Sequence, residues 1–401
     1  MTLDPRPTVV IYRDDLLYPS ETFIRSQAGA LRRFAPVYAG SRRVPGLDLP
    51  LETTYTISKG DTEGRVREVL FKLFGIAPNL EQQLRALDPV LLHAHFGWDG
   101  FRALPLAQRL NVPLIVTFHG SDATVTDLRY AKTYYGHRRY LANKGKLQKE
   151  ASLFLAVSEF IRRKLLEQGF PDDKVLVHYI GVDTKIFSPQ RGESAPIVLF
   201  VGRLMERKGA SYLIRAMAEV QQEHPEAELV LIGEGSLRRD LESQAKNSLR
   251  RYKFLGAQNS EVVQEWMDRA AVFCAPSITT RSGETEGFGI VFAEAQAFQK
   301  PVVSFASGGI GEAVSHGETG FLAPEGDWHA LAKYLATLLQ NLDLRRKLGI
   351  AGRQRVLRLF DLKKQTSLLE DIYEGVCERE ICSKSACEMS VKYQAGEAGT
   401  K

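Results

Sequence analysis

One alternation runs through nearly the whole chain and limits what it can fold into. Short runs rich in Val, Ile and Leu at 8–12, 90–93, 114–118 and 153–157 are separated by longer amphipathic stretches such as 20–34 and 158–168. The second half repeats the style, with apolar runs at 197–201, 228–232, 271–274 and 302–305 and helix-like stretches at 210–224 and 260–270. Near-continuous apolar runs are what strands covered on both faces by helices require. Strand–helix–strand repetition then implies right-handed crossovers and a mostly parallel sheet. A chain of 401 residues is too long for one ordinary core. The predicted fold class is therefore α/β, with two doubly wound, Rossmann-like domains.

Residues 183–196 hold Pro189, Gly192 and Pro196 with few apolar side chains, which is linker chemistry. We place an N-terminal domain at 1–187, a C-terminal domain at 188–360, a terminal helix at 361–377 and a disordered tail at 378–401. The four cysteines are too few for a disulfide framework. Cys274 sits in an apolar run. Cys377, Cys382 and Cys387 lack the close pairing of zinc ligands and read as reduced thiols on a helix end and tail. No run reaches the ~18 apolar residues of a membrane span. The first seven residues have no secretory apolar core, so a cytoplasmic location is expected. Charge is uneven: residues 1–190 carry 26 Lys and Arg against 20 Asp and Glu, and the remainder carries 27 against 28. The basic half is the one expected to meet an anionic partner.

Three glycine loops carry the chemistry. Phe200-Val201 runs into Gly202-Arg203-Leu204, with Lys208-Gly209 following. In a doubly wound domain these residues lie at a strand's C-terminal edge, where ligands bind, and two cations there suit a diphosphate. Glu286-Gly287-Phe288-Gly289-Ile290 leads into an apolar helix that carries Glu294. The glycines leave amides open at a helix N-terminus for phosphate or sugar oxygens, and the two carboxylates can accept hydrogen bonds from hydroxyls. Gly233-Glu234-Gly235 ends a third strand, and Leu255-Gly256 forms a further strand end suited to a base. In the first half His93 and His95 close one strand, and His119-Gly120 closes another. His93 reads as a packed, hydrogen-bonded residue and His119 as a ligand contact.

Together these pieces resemble the retaining family 4 glycosyltransferases of the GT-B fold, over the chain to about Cys377. The pair Glu286 and Glu294, with seven residues between them, is the most specific element, supported by Gly202-Arg203 and Lys208-Gly209. Gly308-Gly309-Ile310-Gly311-Glu312 and Gly317-Glu318-Thr319-Gly320 fit the same family. Pro19-Ser20-Glu21-Thr22, His93-Ala94-His95 and Phe118-His119-Gly120-Ser121-Asp122 resemble its exopolysaccharide, colanic-acid-like branch. The resemblance implies two domains facing across a cleft and a C-terminal helix returning toward the first. Arg203 and Lys208 would hold the donor diphosphate, Glu286 the transferred sugar, and Glu294 the ribose. His119 would reach the sugar from the opposite domain. Gly202, Gly235, Leu255, Gly256, Gly287, Phe288, Gly289 and Ile290 would complete the donor site. Ser20, Glu21, Thr22, His95 and Asp122 would face the acceptor. One departure is that Leu16-Leu17-Tyr18-Pro19 replaces the paired glycine many relatives carry in the first loop. No Asp-x-Asp occurs in the chain. Neither metal nor cofactor is therefore expected beyond the nucleotide-diphosphate sugar donor.

Residues 129–149 are basic and interleaved with tyrosine; Arg138, Arg139, Lys144 and Lys146 are among the cations. Such a segment fits an anionic membrane surface or a pyrophosphate-linked lipid acceptor, and fits equally a solvated helix packing its tyrosines inward. Nucleic acid is not expected, since no nucleic-acid motif accompanies the charge. The leading expectation is sugar transfer to a glycan acceptor, lipid-linked, in surface-polysaccharide biosynthesis, peripheral on the inner face of the plasma membrane. Transfer to a small soluble acceptor, epimerisation of a sugar nucleotide and a non-catalytic subunit on the same fold are the alternatives.

Overall fold

A computed structural model describes residues 4–127, 135–190 and 195–397, without the side chains of residue 135 and of residues 380–397. It contains two sheets, and all the strand pairs within them are parallel. The first half supplies β1 (Thr8–Tyr12), β2 (Asp15–Leu16), β3 (Ala35–Arg43), β4 (Thr54–Ser58), β5 (Leu91–His95), β6 (Leu114–Phe118), β7 (Leu153–Ala156) and β8 (Val175–Val177). Their order is β2-β3-β1-β5-β6-β7-β8, with β4 paired to β3. The second half supplies β9 (Ile197–Val201), β10 (Glu228–Ile232), β11 (Tyr252–Phe254), β12 (Val272–Cys274), β13 (Val302–Phe305) and β14 (Gly320–Ala323). Their order is β11-β10-β9-β12-β13-β14. The order reverses between β1 and β5 in one sheet and between β9 and β12 in the other. Crevices open at such reversals, beyond the carboxyl ends of the strands. That places Arg13 and His95 at one crevice and Gly202 and Ala275 at the other.

The alternating apolar runs become these strands because each is covered on both sides. Residues 198–200 and 229–230 are wholly buried, as are 115–116 and 154–156. The helices Ala210–Glu223 and Ser260–Arg269 match the stretches read from their periodicity. Asn259 caps the second of these by accepting from the Val262 N–H at 2.9 Å.

The chain crosses between the halves twice. The first crossing lies between Val177 and Ile197, the second at residues 360–362, where Val182 N–H donates to Phe360 and Leu362 N–H donates to Val182. Beyond it the terminal helix returns to the first domain. Leu369, Tyr373 and Val376 join Val9, Ile11 and Leu91 in one buried cluster, and the Glu370 carboxylate accepts from the Arg32 and Arg33 amides at 2.6 Å each. This helix spans Leu362–Glu397 rather than ending near Cys377, and so takes in most of the tail expected to be disordered. Residues 378–395 contain no Pro or Gly and are rich in Glu, Lys, Ala and Ser. Polarity alone does not stop such a run from forming a helix. Residues 398–401, Gly192, and Arg129, Tyr130, Lys132 and Tyr134 of the basic segment lie outside the described residues. Among the described residues no helix is long and apolar enough to cross a membrane.

Candidate active site

The loop after β9 turns through a single 3-10 turn, Glu206–Lys208, and ends on Gly209, whose φ of 67° puts it in the left-handed region. A Cβ there would lie 1.8 Å from the Pro276 carbonyl, so glycine is required twice over. The turn delivers two cations to one carboxylate. Lys208 Nζ lies 2.6 Å and an Arg207 terminal nitrogen 3.0 Å from Glu286 Oε2. Arg207 Nε also reaches Glu284 at 3.1 Å. Burial alone would raise the Glu286 carboxyl, but Lys208 and then Arg207 hold it down at about 2. Burial, opposed by Glu286, pulls the Lys208 ammonium below its ordinary value. Arg203 is exposed and has no hydrogen-bond or ion-pair partner among the described residues. Burial, and then Arg207, lower its pKa, while Glu284, Glu286 and Glu21 oppose the shift. The cluster holds three cations against two carboxylates, and so keeps a net positive charge for a phosphate.

Arg207 is not among the residues singled out by the motifs, yet it is the one that ties both acids together. Glu284 and Glu286, two apart, facing the adjacent pair Arg207-Lys208, were the available clue.

Glu286 is held from behind by its own main chain. Gly309 N–H donates to Glu286 O at 2.8 Å, and a Cβ on Gly308 (φ 56°) would sit 2.2 Å from that same oxygen. Gly289, at φ 78°, opens the helix Ile290–Ala297. Phe288 is 1% exposed and packs its ring against Tyr179 and Phe360, so it can offer a ligand only backbone groups. Ile290 is partly buried at the helix start. Glu294 is one turn further on and has no hydrogen-bond or ion-pair partner among the described residues. Burial raises its carboxyl to about 7. Gly233 and Gly235 are close-approach glycines of the β10 end: a Cβ on Gly233 would meet Gly202 O at 1.9 Å, and one on Gly235 would meet Leu204 O at 2.2 Å, whereas one on Gly202 would meet nothing nearer than 3.5 Å. Leu255 and Gly256 cross the same edge, with Gly256 O accepting from Gly233 N–H at 2.8 Å.

From the first domain His119 meets this site. Its carbonyl is so close to Gly287 that a Cβ there would approach to 2.2 Å. The His119 ring packs on Phe23 and Phe96, and its Nε2 is 3.1 Å from His95 Nδ1. Burial, then His93 and Arg13, push its pKa down to about 3, which makes it a neutral imidazole. Its Nδ1 is buried without a partner among the described residues, leaving one ring nitrogen to serve a ligand. His93 is packed as expected, between Tyr373 Oη at 2.6 Å and Thr117 Oγ1 at 2.7 Å.

The predicted acceptor residues divide. Ser20 is exposed at the rim and Thr22 starts the helix Thr22–Ala30. Glu21 is buried and pairs with Arg13 at 2.9 Å, while Arg13 also binds Asp99. His95 is buried behind His119. Asp122 is fully buried and accepts from the amides of Gly97, His119 and Gly120 at 3.0, 3.1 and 2.8 Å. It therefore pins the His119 loop instead of facing a ligand. Two non-glycine residues beside the site hold left-handed backbone, Leu17 (φ 44°) and Phe96 (φ 73°). Such residues cost about 1–3 kcal/mol each and gather at functional loops.

Of the basic segment, Arg139 donates to the Leu73 carbonyl at 2.6 Å and to that of Lys72, and Lys144 donates to Gln168 at 3.2 Å. Tyr140 is wholly buried against Phe118. Arg138 and Lys146 remain exposed.

Glu312 joins the two halves. Its carboxylate accepts from the Glu159 and Phe160 amides at 2.8 Å each and from Tyr179 Oη at 3.1 Å. Ser158 Oγ donates to Gly287 O at 2.6 Å. A residue of the glycine-rich motif thus caps a helix of the opposite domain.

Comparison with known proteins agrees with this geometry. Residues 25–186 match the model for Glycosyltransferase Family 4, and residues 182–355 match that for Glycosyl transferases group 1. The chain is 31% identical to the amylovoran biosynthesis glycosyltransferase AmsK of Erwinia amylovora over 61% of its own length and 60% of that protein's. It is 34% identical to a phosphatidyl-myo-inositol mannosyltransferase of Mycobacterium leprae over 55% of its own length and 59% of that protein's. It thus spans about three fifths of these relatives. Among solved structures, Anabaena HepE in complex with UDP-glucose superposes with a TM-score of 0.72 at 19% identity, covering 92% of this chain and 99% of that one. With both family matches meeting at the crossing between its sheets, and Glu284 and Glu286 ion-paired to Arg207 and Lys208 beyond the end of β9, the chain belongs to the family 4 glycosyltransferases and has their GT-B fold.

Proposed function

We propose that this protein transfers a sugar from a nucleotide-diphosphate sugar to a lipid-linked glycan acceptor, with retention and without a metal, in the assembly of a surface polysaccharide. The observation that carries the reading is the charge arrangement at the β9–β12 crevice. Arg203 is a cation without a partner among the described residues. Beside it Lys208 and Arg207 are fixed on Glu286, and Glu294, in the helix Ile290–Ala297, has no partner among the described residues. Breaking a glycosyl–phosphate bond builds charge on the departing diphosphate, and prepositioned cations stabilise it without reorganising. Glu286, held at about 2, is too weak a base to take a proton from an acceptor hydroxyl at neutral pH. Its place is to accept hydrogen bonds from the sugar. Neutral His119 offers its Nδ1 from the other wall. As the resemblance to the retaining family 4 glycosyltransferases implies, the leaving diphosphate itself takes the acceptor proton, on the face it departs from, and the anomeric configuration is kept. AmsK, a transferase of amylovoran biosynthesis, and the mycobacterial phosphatidyl-myo-inositol mannosyltransferase support a glycan or glycolipid acceptor.

The test is thermal unfolding against UDP, GDP, ADP and dTDP sugars. One base class should stabilise the fold in proportion to the logarithm of its concentration over Kd. The product's anomeric configuration, read by NMR coupling, should match the donor's. Stabilisation by none of the four, or an inverted product, would overturn the reading.

A further inference from the structure

The helix Thr62–Phe74 is inverted relative to an ordinary surface helix. Its inward residues are Gly64, Glu68 and Phe71. Its large aliphatic and aromatic side chains face water: Val66, Val69, Leu70, Leu73 and Phe74 are 56, 54, 43, 39 and 64% exposed, and Ile76 beyond the Gly75 cap is 52% exposed. At 100° per residue the five helical ones project from a single stripe on the side opposite Glu68. Glu68 can face inward because Lys72 and Arg42 lie beside it. Single exposed apolar residues need no explanation, but a contiguous stripe of this size marks a docking surface.

The rim of the stripe is cationic. Arg65 and Arg67 flank it on either side, and Glu63, the acid near its first turn, is paired to Arg67 at 3.1 Å. At the far end Arg109 donates to Gly75 O, and Arg139 donates to the Lys72 and Leu73 carbonyls. Exposed Arg138 adjoins Arg139. A second copy of this chain would bring the same cations face to face. An apolar interior beneath an anionic surface satisfies both the stripe and its rim.

We propose that the Thr62–Phe74 face docks the protein on an anionic lipid bilayer, with the apolar stripe among the acyl chains and the arginines among the head groups. The proposal rests on the lipid-linked acceptor of the reading above. It moves the contact from the basic helix Tyr135–Glu150, much of which is committed to the protein, to its neighbour.

The full chain should sediment with phosphatidylcholine vesicles containing phosphatidylglycerol, and far less with phosphatidylcholine alone. Leu70→Ser with Phe74→Ser should weaken partition about tenfold or more. Arg65→Gln should weaken it about fivefold. Both variants face solvent and should keep the wild-type melting temperature. Wild type that stays in the supernatant with anionic vesicles would overturn the proposal. So would a Leu70/Phe74 variant that binds like wild type, or a wild-type dimer in ultracentrifugation that the same variant dissolves. Nucleotide-sugar stabilisation measured on the same samples separates the two readings. Stabilisation without vesicle binding removes the docking face and leaves the transferase. Vesicle binding without stabilisation does the reverse.

Discussion

Glu294 offers the sharpest test of the donor site, because its charge is controlled by pH in an accessible window. Burial raises its carboxyl from the ordinary 4.5 to about 7, with no partner among the described residues to compensate. The sign follows directly. Between these values the unfolded chain has lost the proton and the folded chain keeps it, so stability falls as pH rises. At roughly 1.4 kcal/mol per pKa unit, the loss is about 3 kcal/mol once pH exceeds 7, and nothing below about 4.5. Glu294→Gln removes the titration. It should leave the melting temperature unchanged near pH 4.5 and raise it by a few degrees at pH 8. Nucleotide binding should respond in the opposite sense. Ribose hydroxyls donate to a carboxylate, so the bound state favours the ionised form, and donor affinity should climb by up to tenfold per pH unit as pH rises toward about 7 and then level. Calorimetry with an intact nucleotide sugar reads this without interference, since its diphosphate has no terminal phosphate ionisation. A flat wild-type profile, or a Glu294→Gln profile of the same slope, would refute the assignment of Glu294 to the ribose.

Arg203→Ala and Lys208→Ala should each lower kcat by roughly 10²–10³, with circular dichroism unchanged, as expected for lost stabilisation of a leaving group. Gly287→Ala should abolish most turnover without unfolding the protein, because the added methyl would press on the His119 carbonyl at 2.2 Å and hold the domains apart; a fully active variant would show that the approach is not needed. Turnover should survive EDTA, and loss restored by magnesium would contradict cationic side chains as the diphosphate ligands.

Much of this was legible in the chain itself. The strands 8–12, 114–118, 197–201, 228–232 and 302–305 fall where the apolar runs lie, because strands buried on both faces leave a continuous record. Glu286, Lys208 and Arg203 converge as their loops suggest. What escaped was decided by the third dimension. Arg207 looks like a solvated loop residue until the turn after β9 brings it to Glu284 and Glu286. Asp122 adjoins His119 as an acceptor contact would, but three amides claim it. The stripe on Thr62–Phe74 has the period of a core-facing helix, and periodicity does not say which side the core is on. The polar run after Cys377 reads as disorder by composition, yet nothing in it through residue 395 breaks a helix.

The returning terminal helix has a consequence for how the molecule is made. Leu369, Tyr373 and Val376 fill a cavity floored by the first strand, and Tyr373 completes the hydrogen bonding of His93 behind the His95–His119 pair. The amino-terminal half therefore emerges from the ribosome missing part of its own interior. It must wait, with that apolar floor uncovered, through the synthesis of the entire donor half. Domain order in this chain is not assembly order, and the wall bearing His119 is finished last.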